Sequence, residues 1–239
     1  MVAFLQALPE MSEQRYRELA MNVRADDAGP ASADRLGPST EALEPVLADC
    51  NRCHGADDGG RGDGAVPRLA GQSEAYLLGT LQAYASGKRH SGIMQPVAAG
   101  LESQVLSELA KHYAELPAPA KSDESTASPA AVARGQKLAE RGLPARGIAS
   151  CIHCHGPSSS PRNPMYPRIA GQQARFLQQQ LELFVSGTRG GSEYAQVMHI
   201  VAKKLTREQI RDLAVYYASL PQEAALMATE PTVPTQRKR

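Results

Sequence analysis

The chain lacks a long apolar segment and has almost no net charge. Its 239 residues include 26 basic and 25 acidic ones, so the formal net charge is +1 at pH 7. This balance argues against a protein that coats nucleic acid. No apolar run approaches the roughly twenty residues that a transmembrane helix needs. A hydrophobic content of 42% is enough to build the core of one large domain or of two small ones.

Cysteine is scarce, and its positions are informative. The four cysteines fall into two copies of one pattern, Cys50-Asn-Arg-Cys53-His54 and Cys151-Ile-His-Cys154-His155, which leaves none for a disulfide. C-x-x-C-H is the attachment signature of c-type heme. Residues i and i+3 share one face of a helical turn, so two thiols there can form thioethers to one porphyrin. The adjacent histidine can then bind the iron.

A single C-x-x-C pattern has other interpretations. A zinc site would need four converging thiolates or histidines, and a thioredoxin-like redox disulfide would need a βαβ context. Here each motif ends in His-Gly and lies inside a longer repeat. The sequence therefore predicts two covalently attached heme c groups.

The repeat becomes visible when the sequence is shifted on itself by about a hundred residues. The segments that match are 67–72 with 167–172, 86–89 with 186–189, and 112–117 with 216–221. The first pair reads Pro-Arg-Leu-Ala-Gly-Gln and Pro-Arg-Ile-Ala-Gly-Gln. This is an internal duplication with one heme motif in each copy.

Both copies are predicted to be helical. Alternating β-branched residues, which would indicate strands, are almost absent. Two segments in each copy place their apolar residues in one stripe at 100° per residue. In the first segment the stripe residues are Tyr76, Leu77, Leu81 and Tyr84 in one copy and Phe176, Leu177, Leu181 and Phe184 in the other. In the second segment they are Leu106, Leu109, Ala110, Tyr113 and Leu116 in one copy and Ile210, Leu213, Ala214, Tyr217 and Leu220 in the other. Thr206 with Gln209 predicts a capping box at the last helix.

The start of the two copies differs. The second copy opens with a helix-like stretch from Ala131 to Gly142, whereas the first has only a shorter one near Glu41 to Asp49.

A heme in an electron carrier usually has a second axial ligand, methionine or histidine. Met94 lies seven residues before Leu101, and Met198 lies seven residues before Leu205, so the two methionines are equivalent in the repeats. They are the predicted iron ligands opposite His54 and His155. The nearest rivals are His90 for the first heme and His199 for the second. Met165 has no counterpart in the first copy and is predicted to serve in packing.

Prolines and arginines of the repeat are candidates for contacts with the hemes and their histidine ligands. Pro67 and Pro167 could each offer a carbonyl to the second ring nitrogen of the preceding heme-motif histidine. The arginines at matched positions could pair with heme propionates, or could be solvated on the surface. These are Arg68, Arg168, Arg89 and Arg189.

The order of C-x-x-C-H-G, P-x-[LI]-A-G-Q, G-x-R, methionine and a closing helix ending in Leu-Pro, all present twice, resembles the cytochrome c4 family. The resemblance covers roughly residues 41–222. It implies an all-α fold of two tandem class I cytochrome c domains, with His54 and Met94 on one iron and His155 and Met198 on the other. It also implies a periplasmic carrier that passes single electrons between redox proteins, often to a terminal oxidase.

Domain boundaries follow from these landmarks. The predicted domains are 41–117 and 131–222, joined by a linker over 118–130 and followed by a flexible tail over 223–239. Residues 1–10 lack the features of a signal peptide. Because residues 4–9 resemble the Leu-Pro end of a repeat, residues 1–21 are predicted to close a truncated upstream domain, with a linker over 22–40. An ordinary amphipathic helix is the alternative.

The two domains differ in charge. Residues 41–117 have 6 basic and 10 acidic residues, a net charge of −4, whereas residues 131–222 have 12 basic and 5 acidic ones, a net charge of +7. Such asymmetry predicts that the electron donor and the electron acceptor dock on opposite domains.

Three functions are candidates for such a sequence. The first is an electron carrier without chemistry of its own. The second is the cytochrome subunit of a larger membrane dehydrogenase or terminal oxidase complex, which leaves open a peripheral association with the membrane. The third, a diheme peroxidase, would need an open iron site, and the matched methionines argue against it.

Overall fold

The computed structural model describes residues 40–55, 64–117, 128–156, 163–191 and 194–221. These ranges are helical and contain no strand, only an isolated antiparallel bridge between Leu143 and Ile148. None of their helices is long and apolar enough to cross a bilayer. The predicted N-terminal helix over 1–21 and the tail over 223–239 lie outside the described residues, as do most of both predicted linkers.

Four helices form the described part of the first repeat. They are α1 (Thr40–His54), α2 (Glu74–Ala85), α3 (Met94–Ala99) and α4 (Ser103–Glu115). Their core is a cluster of buried side chains from α1, α2 and α4. Its members are Leu47, Leu77, Leu109, Ala110 and Tyr113.

Five helices form the described part of the second repeat. They are α5 (Pro129–Arg141), α6 (Ile152–His155), α7 (Ala174–Ser186), α8 (Ala195–Ala202) and α9 (Arg207–Ser219), with a 3-10 turn at Pro144–Arg146. The core here joins α5, α7 and α9. Its members are Leu138, Ala139, Leu177, Leu213, Ala214, Tyr216 and Tyr217.

The predicted stripes correspond to these helices. Leu77 in α2 and Leu177 in α7 are buried, and the other stripe residues of both helices are half-buried. The stripes of α4 and α9 are buried except at their final leucines. The capping box is also present: the backbone N–H of Gln209 donates to Thr206 Oγ1 at 3.2 Å, and the N–H of Thr206 donates to Gln209 Oε1 at 2.9 Å. These predictions are confirmed.

The start of the first repeat differs from the expectation. The predicted short helix near Glu41 to Asp49 is instead the first part of α1, which continues through the heme motif to His54. In the second repeat Gly142 adopts a positive φ of 62° and ends α5, so the motif occupies a separate short helix, α6. No such break separates the two parts in the first repeat, and the helix continues.

Helices α5 and α9 cross at Gly135. A Cβ atom at this position would lie 2.1 Å from the carbonyl oxygen of Asp212, so only glycine fits the crossing. The neighbouring Arg134 donates two hydrogen bonds to the buried carboxylate of Asp212, at 2.7 and 2.8 Å. Close backbone approach and a bidentate ion pair thus hold the two helices together.

Candidate heme-binding site

The histidine of each heme motif is oriented by a proline carbonyl. His54 ends α1, and its Nδ1 lies 2.9 Å from the carbonyl oxygen of Pro67. His155 ends α6, and its Nδ1 lies 2.9 Å from the carbonyl oxygen of Pro167. A carbonyl only accepts, so each Nδ1 carries the proton and donates. Each Nε2 therefore keeps the lone pair that can bind a metal ion.

The surroundings of His54 favour its neutral form. Its side chain is buried, and this burial lowers the pKa of the imidazole below its ordinary value, although the hydrogen bond to the Pro67 carbonyl partly opposes the shift. Neutral imidazole is the form that binds metals. The site is therefore suited to hold iron without first releasing a proton.

The cysteines lie on the same helical turns. Cys50 and Cys53 are one turn apart in α1, and Cys151 and Cys154 are one turn apart at α6. Burial raises the pKa of the Cys50 thiol, and it raises that of Cys151 to about 11. Catalytic C-x-x-C motifs of disulfide oxidoreductases have a lowered thiol pKa. The half-buried Cys50 and Cys151 thus lack the activation of a redox disulfide. The spacing of the two cysteines within each motif fits two thioethers to one porphyrin.

The two methionines lie at corresponding places in the repeats. Met94 is the first residue of α3, where its backbone N–H donates to Ser91 Oγ at 3.1 Å, and Met198 lies within α8. Both side chains are half-buried. Helix α3 packs on α2, and α8 packs on α7.

The rival histidines have different surroundings. His90 is exposed. His199 is half-buried, its Nδ1 lies 2.9 Å from the carbonyl oxygen of Phe184, and its ring meets the Phe184 ring edge-on at 5.4 Å between centroids. These contacts of His199 therefore pack α8 against α7.

Met165 contacts the other repeat. Its Cε would lie 2.9 Å from a Cβ atom at Gly79 in α2. The prediction of a packing role is confirmed, and the structure adds that this packing joins the repeats.

The buried Arg89 and the half-buried Arg189 meet between the repeats. Arg89 Nη2 and Arg189 Nε both donate to Gln180 Oε1, at 3.0 and 2.8 Å. Arg89 is 3% exposed and lies over the Tyr84 ring, 4.5 Å from its centroid. Burial, with the charge of Arg89 second, lowers the pKa of Arg189 to about 10. Within the described part of the chain, the side chains that contact these guanidiniums are neutral, so the place fits an anionic group such as a heme propionate.

The other arginine pair also lies between the repeats. Arg68 Nη1 donates to the carbonyl oxygen of Gly171 at 2.9 Å, and Arg168 Nη1 donates to that of Gly71 at 2.8 Å. The sequence did not predict this role. The repeated Pro-Arg-x-Ala-Gly-Gln segment was the available signal, because a segment duplicated in both copies can pair with itself across a pseudo-twofold axis.

Comparison with known proteins agrees with this architecture. The family model for cytochrome c matches residues 45–109 and 132–221. The thiosulfate dehydrogenase electron acceptor of Thiomonas intermedia is 34% identical over 183 residues, which are 77% of this chain and 83% of that protein.

Solved structures extend the comparison. Reduced recombinant cytochrome c4 from Pseudomonas stutzeri superposes with a TM-score of 0.67 at 30% identity, over 77% of this chain and all of that one. Thiosulfate dehydrogenase (TsdBA) from Marichromatium purpuratum gives a TM-score of 0.65 at 35% identity, over 72% of this chain and 36% of that one. The predicted fold class, family and heme content are thereby confirmed. The chain belongs to the cytochrome c family and is a diheme cytochrome of the cytochrome c4 type, an electron carrier with two covalently attached hemes and not an enzyme.

Proposed function

We propose that this cytochrome accepts single electrons from a periplasmic dehydrogenase of the thiosulfate dehydrogenase kind and passes them to a second redox protein. The relative from Thiomonas intermedia, named as the electron acceptor of such an enzyme, supports this choice of donor because the match spans 83% of that protein. Heme iron bound by histidine and methionine supplies reversible one-electron transfer, with a potential raised by the methionine.

The proposed heme domains are residues 41–117 and 131–222. In the first, Cys50 and Cys53 hold the heme, while His54 and Met94 bind its iron. In the second, these parts are taken by Cys151, Cys154, His155 and Met198. The observation that carries this assignment is the histidine to proline-carbonyl distance, which is 2.9 Å in both repeats.

The surroundings of the rival ligands support the two methionines. His90 is exposed, and His199 is held against Phe184. Neither has a histidine counterpart in the other repeat. The methionines, in contrast, are equivalent in sequence and half-buried in both repeats.

We assign the heme propionates to Arg89 and Arg189. Two like charges that are largely withdrawn from water are unfavourable unless an anion balances them. A propionate can accept hydrogen bonds from a guanidinium in bidentate fashion. The arginines would then hold the propionate edges of the hemes at the surface between the repeats.

Exposed apolar side chains flank both methionines. Ile93 on the first repeat is 69% exposed, and Ile200 on the second is 60% exposed. We assign these residues to contact with the redox partners. The domains that carry these residues differ in net charge, −4 against +7, which supports docking of donor and acceptor on opposite domains.

A second candidate function has its own support. The match to the Marichromatium purpuratum enzyme covers only 36% of that chain, so the same two-domain arrangement occurs there within a longer polypeptide. This favours the alternative that the present chain works as the cytochrome component of a larger dehydrogenase assembly. Copurification with a dehydrogenase at fixed stoichiometry would support that alternative.

The ligand assignment is tested by absorption spectroscopy of protein made with a cytochrome c maturation system. Ferric heme with a methionine sulfur ligand shows a weak far-red band. We expect Met94→Ala and Met198→Ala each to remove about half of this band, since each leaves one sulfur ligand. The matched controls His90→Ala and His199→Ala should retain it. Retention of the full band in Met198→Ala, or its loss in His199→Ala, would contradict the assignment.

The donor is tested by stopped-flow reduction with thiosulfate dehydrogenase and thiosulfate. Glu102 and Lys203 are exposed and lie close to the ends of the methionine helices. One of the two charge reversals, Glu102→Lys or Lys203→Glu, should change the reduction rate by about threefold or more at low salt, and the other should leave it nearly unchanged. Equal responses would refute opposite docking, and the absence of any reduction would refute this donor.

A further inference from the structure

The two repeats are joined by a reciprocal set of hydrogen bonds. The N–H of Arg68 donates to Gln172 Oε1 at 2.9 Å, and Gln172 Nε2 donates to the carbonyl oxygen of Arg68 at 2.9 Å. In the equivalent contact, with the two repeats exchanged, the N–H of Arg168 donates to Gln72 Oε1 at 2.9 Å, and Gln72 Nε2 donates to the carbonyl oxygen of Arg168. Each glutamine thus pairs with the backbone of one arginine in the other repeat.

The glutamine side chains that make these bonds are shielded from water. Both glutamines are 5% exposed, and the arginine side chains reach the glycine carbonyls beside them. Gln172 Oε1 also accepts from the N–H of Gln173 at 3.0 Å. A buried hydrogen bond is electrostatically stronger than the same bond in water, and successive bonds polarise one another.

One peptide group connects each glutamine to a heme-motif histidine. The peptide between Pro67 and Arg68 accepts from His54 Nδ1 through its carbonyl and donates to Gln172 through its N–H. The peptide between Pro167 and the next residue does the same for His155 and Gln72. Because resonance couples the two ends of an amide, an acceptor on the N–H makes the carbonyl oxygen a better acceptor.

We infer that each domain tunes the heme of the other domain: Gln172 strengthens the hydrogen bond at His54, and Gln72 strengthens the one at His155. A stronger bond at Nδ1 makes the histidine a better electron donor to iron, which favours Fe(III) and lowers the reduction potential. The glutamines are positioning residues, since they act through a peptide group and a ligand. The inference rests on the proposed ligands His54 and His155.

The mirror pair of variants Gln172→Leu and Gln72→Leu tests this on the full holoprotein. Redox titration is followed by NMR through the methyl signals of the two ligand methionines, and Met94→Ala identifies which signal belongs to the first heme. In Gln172→Leu the potential of the first heme should rise, with the ratio of reduced to oxidised heme at a fixed potential changing about threefold, or about 28 mV. The second heme should change much less.

The mirror variant supplies the control. Gln72→Leu should raise the potential of the second heme and leave the first nearly unchanged. The inference is overturned if each variant shifts the heme of its own domain, or shifts both hemes equally, because a general loosening of the contact between the repeats would act in that way.

A charged variant separates tuning from loosening. Gln172→Glu keeps an acceptor toward the N–H of Arg68 and strengthens it, so the potential of the first heme should fall, and fall more than that of the second. Shifts of the same sign in the Leu and Glu variants would overturn the inference. The Nδ1 proton signal of His54 should also move in opposite directions in the two variants.

An error in the assignment of His54 as an iron ligand would give a different result from an error in the tuning. If His54 is not an iron ligand, His54→Ala will leave the native low-spin spectrum of the first heme intact. If His54 is a ligand and only the tuning is wrong, that spectrum will change in His54→Ala while the glutamine variants shift neither heme in the crossed pattern.

Discussion

Replacing Gly135 with alanine is expected to destabilise the second repeat strongly for so small a change. The new Cβ would lie 2.1 Å from the carbonyl oxygen of Asp212 and 2.7 Å from the Cβ of Tyr216. Backbone atoms cannot rotate away as a side chain can. Helices α5 and α9 must therefore separate locally by roughly 1.3 Å before the contact becomes an ordinary van der Waals one.

The cost follows from two opposing effects. Overpacking of a close contact costs about 1–3 kcal/mol, and the separation also stretches the hydrogen bonds between Arg134 and Asp212. Alanine regains up to about 1 kcal/mol through its higher helix propensity. We expect a net loss of about 2 kcal/mol, which lowers Tm by about 4–8 °C for a chain of this size.

Thermal and urea unfolding of the holoprotein, followed by far-UV circular dichroism, measures this loss. Gly92→Ala is a matched control, because a Cβ at Gly92 meets nothing within 4 Å. The control should change the free energy of unfolding by less than about 0.5 kcal/mol. If Gly135→Ala unfolds together with the native protein and the control, the close crossing of α5 and α9 is wrong.

Two further predictions concern α9. Asp212→Asn should lower the free energy of unfolding by about 1–2 kcal/mol, less than the loss of a fully buried ion pair, because the Arg134 side chain is 54% exposed. Glu208→Gln removes the exposed carboxylate 3.5 Å from the same arginine and should change this free energy by less than about 0.5 kcal/mol. Equal losses in the two variants would argue against the ion pair between Arg134 and Asp212. Thr206→Ala should lower the free energy of unfolding in urea by about 1 kcal/mol, because the helix loses its cap. Glu102→Ala, at the start of α4 where no side chain caps the helix, should cost little. Equal losses in these two variants would contradict the capping box.

Much of the site could be predicted because the chemistry of heme attachment is local. Cys50, Cys53 and His54 lie within five consecutive residues, and their spacing already places them on one helical turn. The helices were predictable for the same reason, since an apolar stripe is a property of short spacing. The duplication then identified the equivalent positions Met94 and Met198.

The extent of α1 could not be predicted in this way. A short apolar pattern near Glu41 to Asp49 indicated only the part of the helix that faces the core. The continuation to His54 depends on the absence of a chain reversal like the one after Gly142. Local pattern thus located the helix but not its end.

The sequence by itself predicted the two hemes, the cysteines and histidines proposed to hold them, and the helical class of both repeats, because these depend on residues a few positions apart. Only the tertiary structure decided that Arg89 meets Arg189 and that Gln172 binds the backbone of Arg68. These partners are about a hundred residues apart, and their contact depends on how two folded surfaces fit together. No periodicity along the chain encodes that fit, so the surface between the repeats, where we place the tuning of each heme by the other domain, became visible only in three dimensions.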